Sequence, residues 1–159
     1  MSLRLADGLS VEYSTDGCVA RARAEVYGAD WNTVALLTVG LANHVIGAVE
    51  ADSAHRAAVR RWSACMTKAG QPAKDLQAPR KAVDSRLRKV TSEEDLRAVG
   101  RDEIRSARAD ADCQAGTGLS EAVRDVQRAV EKRLLTAGDR KTVASYLADR
   151  RRALAATDA

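Results

Sequence analysis

Trp31-Asn32-Thr33-Val34-Ala35-Leu36-Leu37-Thr38-Val39-Gly40-Leu41-Ala42-Asn43-His44-Val45-Ile46-Gly47-Ala48-Val49 decides the fold. The stretch carries no charged side chain and is about long enough to cross a bilayer. Asn32, Thr33, Asn43, His44 and two glycines interrupt it, and Asp30 and Glu50 bracket it. Polar side chains within and acidic ones at both ends suit a protein interior better than lipid. Trp31, Val34, Ala35, Leu37, Val39, Leu41, Val45, Ile46 and Val49 surround the helix almost completely, as a helix enclosed by neighbours requires. A buried central helix is expected, with no transmembrane segment.

Composition agrees with a helical fold around it. The chain has 159 residues, 45% of them hydrophobic and 30% charged, which suits one globular domain. Aromatics are only 3% and Phe is absent, so Leu, Val and Ala must fill the interior and the helices must pack closely. The only prolines, Pro72 and Pro79, sit near each other, leaving the rest of the chain free of the strongest helix breaker. The net charge of +4 is a thin surplus of 26 basic over 22 acidic residues. Its densest run, Arg150 to Arg152, reads as solvated surface rather than a nucleic-acid face, and no nucleic-acid partner is expected.

Upstream of the apolar stretch, residues 1–13 read as a loosely ordered arm. Ser14, Thr15 and Asp16 then offer capping oxygens to a helix from Gly17 to Tyr27, closed by Gly28, with Cys18, Val19, Ala22 and Val26 as its inner face. Met1 to Ser10 holds no apolar run, so the chain is expected to be cytoplasmic if Met1 is native, or already trimmed.

Downstream, Asp52 and Ser53 begin a helix in which Ala54, Ala58, Trp62, Cys65, Met66 and Ala69 recur at helical spacing, and Gly70 closes it. A linker from Gln71 to Ala78 leads into a short basic helix with Pro79 in its first turn. Thr91 with Glu94 reads as a capping box for a helix to about Ala115, whose inner side carries Leu96, Val99, Ala107 and Ala111, with Asp110 and, marginally, Cys113. Gly116 and Gly118 break the chain. Leu119, Val123, Val126, Val130, Leu134 and Ala137 then mark a long last helix, which Gly138 bends before Val143, Tyr146, Leu147 and Leu154 continue it. The whole reads as an all-α, single-domain bundle of five to six helices over 14–159 with a long C-terminal helix. The stripe on that helix can be buried within the chain or against a second copy in a homodimer.

Three cysteines can be buried apolar groups, a cystine with one spare thiol, metal ligands or a nucleophile. No Cys-x-x-Cys pair occurs, and His44 and His55 lie on different helices without ligand spacing, so neither a metal nor another cofactor is expected. The segments Trp62-Ser63-Ala64-Cys65-Met66-Thr67-Lys68-Ala69-Gly70, Thr91-Ser92-Glu93-Glu94 and Ala107-Arg108-Ala109-Asp110-Ala111-Asp112-Cys113 resemble a family of actinobacterial (Streptomyces-type) secreted proteins and lipoproteins. The resemblance rests on Trp62, Cys65, Met66, Gly70, Asp110 and Cys113. It implies an extracytoplasmic location, secreted or surface-anchored, and no particular activity. Oxidising compartments preserve disulfides, so the resemblance implies a cystine, Cys65 with Cys113, the alternatives being Cys18 with Cys65 and three reduced thiols.

Trp62 is expected in the core, its indole N–H needing one acceptor that Asp110 can supply. His44 reads as a hydrogen-bonded buried imidazole, and no residue is assigned a catalytic role. The functional expectation is a non-enzymatic binding module for a protein, a peptide or a small secreted molecule. The rivals are a thiol-dependent redox enzyme or sensor using Cys18 with Cys65 or Cys113, and a cytosolic nucleic-acid-binding regulator.

Overall fold

Gly70 shows how local chemistry sets the element boundaries. The residue adopts φ +73°, which costs glycine nothing. Around it, Gln71 N–H donates to Met66 O at 2.9 Å and Gly70 N–H to Thr67 O at 3.1 Å, the paired bonds that close a helix end. In the computed structural model, which describes residues 1–157, the described elements are strands β1 (Ser2–Arg4) and β2 (Ser10–Glu12) and helices α1 (Cys18–Tyr27), α2 (Trp31–Ala51), α3 (Ser53–Lys68), α4 (Ala78–Leu87), α5 (Glu93–Thr117), α6 (Leu119–Leu134) and α7 (Ala137–Thr157). The chain is mostly helical, with seven helices among the described residues where five to six were expected.

The additional helix comes from a break in what reads as one long C-terminal helix. Thr136 and Asp139 cap each other: Asp139 N–H donates to Thr136 Oγ1 at 3.2 Å, and Thr136 N–H and Oγ1–H donate to Asp139 Oδ2 at 2.8 and 2.7 Å. This exchange satisfies the backbone donors that a new helix start leaves free, so the chain stops and restarts at Leu135–Thr136. A one-residue shift marks the start of α5, where Ser92 rather than Thr91 is the cap. Ser92 Oγ accepts from Asp95 N–H at 3.1 Å, and Asp95 Oδ2 accepts from the hydroxyls of Ser92 and Thr91.

Backbone contacts divide the chain into two compact units, Met1–Ala48 with Gln127–Ala159 and Val49–Val126. In the first, residues 1–13 are not a loose arm. Strands β1 and β2 form an antiparallel hairpin pairing Ser2 with Glu12, Leu3 with Val11 and Arg4 with Ser10. Leu5, 7% exposed, lies against Gly40 of α2, where a side chain would leave it no room. The Tyr13 hydroxyl reaches Thr33 Oγ1 at 2.6 Å. A hairpin alone is marginal in water, and these contacts to a helix stabilise it.

The inner faces of α1 and α2 also differ from expectation. On α1 the buried residue is Ala20, whose carbonyl accepts from Asn32, while Cys18, Val19, Ala22 and Val26 are exposed. On α2 burial is one-sided: Gly40, Leu41, Val45 and Val49 are buried, whereas Val39 and Ile46 are more than half exposed, at 53% and 54%. The helix is not enclosed by neighbours. By length and composition alone it is apolar enough to cross a membrane. At the other end of this unit, Trp31 stacks between Tyr27 and Tyr146 with ring centroids 4.1 and 4.9 Å apart.

The second unit is built on α3 and α5, with α4 also packed on α5. Asp52 caps α3 by accepting from Ala54 N–H at 2.8 Å. One face of α3 supplies Ala58, Trp62 and Met66, all fully buried, to a core completed by Ala73, Cys113 and Leu119. Burying a side chain the size of Met66 contributes on the order of 1.5–3 kcal/mol. On α5 the core face runs through Val99, Ala109 and Cys113, whereas Leu96, Ala107 and Ala111 face water. The choice follows from the cysteine, which must point inward to meet α3. Arg86 of α4 pairs with Asp102 of α5, and that hydrogen bond is the first cause holding the Asp102 carboxyl below its ordinary pKa.

Candidate functional site

The residues singled out in the sequence converge in the second unit. The Cys65–Cys113 disulfide joins α3 to α5 across a Cα–Cα distance of 5.6 Å and a sequence separation of 48. Cys18 is an exposed free thiol on α1, so the alternative Cys18–Cys65 pairing is corrected, as is the fully reduced state. Trp62 and Met66 lie beside the cystine in the same buried cluster, while Gly70 occupies the turn that ends α3.

Asp110, half-buried on α5, is the polar group of this cluster. Its Oδ1 accepts from Trp62 Nε1–H at 2.8 Å, as expected from the sequence, and its Oδ2 accepts from Gln114 Nε2–H at 2.9 Å. The chain of bonds continues outward, with Ser120 Oγ–H donating to Gln114 Oε1 at 3.3 Å and Arg124 Nε–H to the Ser120 carbonyl at 3.3 Å. A cavity of about 350 Å³ lies over it, walled by Leu76, Leu119 and Val123. Both carboxylate oxygens are fixed by neutral donors, one of them a buried indole. This arrangement ties α3 to α5 through the Trp62–Asp110 bond.

His44 and His55 are not brought to this site. His44 is half-buried near Asp139, and His55 leaves Nδ1 buried without a hydrogen-bond partner. Among the described residues, no three His, Cys, Asp or Glu side chains come together in a way that could hold a metal ion.

Two features escaped the sequence reading. The basic run Arg150–Arg152 is exposed, as expected, but its contacts were not foreseen: Arg150 lies over the Tyr146 ring at 5.7 Å, and Arg152 donates to the Tyr27 carbonyl at 3.0 Å and to Asp149 at 2.6 Å. The available signal was Tyr27 and Trp31 on either side of the short break between α1 and α2, in a chain with few aromatics. The second feature is a groove of about 460 Å³ in the first unit, between α1 and α2, lined mainly by apolar side chains with Arg23 and Cys18 at its edge. The chain matches none of the family models, curated proteins or solved structures with which it was compared.

Proposed function

We propose that the protein is a non-enzymatic helical binding module of an extracytoplasmic compartment, secreted or surface-anchored, acting on a protein, a peptide or a small secreted molecule. The observation that carries this reading is the Cys65–Cys113 cystine, packed into the core with Cys113 only 2% exposed. Disulfides persist in oxidising compartments and are reduced in the cytosol. The bridge also joins the Trp62–Gly70 and Ala107–Cys113 segments, on which the resemblance to the actinobacterial secreted family rests. Engagement of Asp110 by Trp62 and Gln114 supports a structural role for the one half-buried carboxylate in that cluster.

Assays of hydrolytic and redox turnover on broad substrate panels test the proposal. Turnover that disappears in Asp110→Asn or Cys113→Ser overturns the non-enzymatic reading. Thiol counting on protein taken from its native compartment tests the location: one free thiol supports it, and three overturn it.

A further inference from the structure

We propose that the groove between α1 and α2 binds a single-chain fatty acid, with the carboxylate on Arg23 and the hydrocarbon along Val19, Leu36 and Val39. The inference rests on the binding-module reading and names its ligand class. The groove has a volume of about 460 Å³, within the range of small-molecule sites. Its walls include branched aliphatic side chains left in water, Val19 at 64% and Val39 at 53% exposed, and covering such surface is favourable in proportion to its area.

Three polar side chains of the groove are already engaged. Tyr13 hydrogen-bonds Thr33, Asn32 donates to the Ala20 carbonyl, and Ser14 donates to Asp16 while accepting from Gly17 N–H. Arg23, also in the groove wall, has no carboxylate within ion-pairing distance among the described residues. One unpaired guanidinium beside an aliphatic wall is complementary to a molecule with one anionic head and one apolar body. Guanidinium and carboxylate also match in planar, two-bond geometry.

Calorimetric titration of the full chain with hexanoate, octanoate and decanoate, and with decanol as the uncharged control, tests this. The expected result is saturable decanoate binding, with affinity rising about two- to fourfold per added methylene. Val39→Asp should weaken decanoate binding about tenfold or more, and Arg23→Gln should weaken it about tenfold while leaving decanol unchanged. Both positions are exposed, so the variants retain the fold, which circular dichroism verifies. Absence of saturable decanoate binding up to about 1 mM, equal affinity in Arg23→Gln, or ligand-free dimerisation abolished by Val39→Asp overturns the proposal. Failure here leaves the module reading intact, because that reading falls on turnover or thiol count, which these titrations do not measure.

Discussion

The indole N–H of Trp62 and the carboxylate of Asp110 meet at 2.8 Å across α3 and α5, forty-eight positions apart, the same separation as the cystine beside them. Trp62 is fully buried, and Asp110 is the acceptor of its indole N–H. Asp110→Ala should therefore lower unfolding free energy by about 1–3 kcal/mol, whereas Asp110→Asn, which keeps an acceptor oxygen, should cost less. Urea denaturation followed by Trp fluorescence distinguishes the two, and equal losses would show that the indole bond is not the source.

Removing the bridge should cost more than removing the hydrogen bond. A cystine closing a loop with a separation of 48 residues contributes about 4 kcal/mol by restricting the unfolded chain. Cys65→Ala combined with Cys113→Ala should lose most of that amount. Alkylation of the native protein should label Cys18 alone, and intact mass should rise on reduction by the two hydrogens of one cystine.

Gly40 and Gly47 lie in the same helix and should respond oppositely to alanine. A Cβ on Gly40 would stand 2.7 Å from the Leu5 Cβ, whereas one on Gly47 would meet nothing within 4 Å. Replacing a helical glycine by alanine gains about 1 kcal/mol from propensity, and forcing a clash in a packed contact costs about 1–3 kcal/mol. Gly47→Ala should raise the melting temperature and Gly40→Ala should lower it, with the first turn of the hairpin losing amide protection.

The start of α7 should be sensitive to acid. The Thr136 hydroxyl, donating to Asp139, is the first cause holding that carboxyl below its ordinary pKa, and the Thr136 backbone N–H is the second. A depressed folded-state pKa means that the stabilisation is complete above the ordinary carboxylate value and is lost as pH falls through the folded one, below about pH 4. Thr136→Ala should cost about 1 kcal/mol at neutral pH and show a smaller further loss on acidification. Denaturation midpoints at neutral and acid pH for both proteins provide the comparison.

Helix-scale order was legible because it is written locally. Gly70 ends α3 where a left-handed residue is required, Pro79 opens α4, and the three- and four-residue spacing of Ala58, Trp62 and Met66 identifies the core face. The Trp62–Asp110 pair was legible because a buried indole needs an acceptor. Inner faces were not legible from apolar pattern alone. On α1, Cys18, Val19, Ala22 and Val26 share one side yet face water, and the buried residue is Ala20 on the other side, whose carbonyl accepts from Asn32. On α2 the uniform apolarity read as enclosure, although Val39 and Ile46 face water. The break at Thr136 was hidden because apolar spacing runs through it, and only the Thr136–Asp139 exchange reveals it. The groove has no local signature, since it arises where two helices meet.

The cystine also determines what becomes of a damaged chain. Lys74 is exposed in the linker between α3 and α4, and the sulfur bridge spans that linker. A trypsin-like nick after Lys74 would leave two pieces still joined by a covalent bond, migrating as one band until a reductant is added. Such a molecule survives a cut that would scatter an unbridged one.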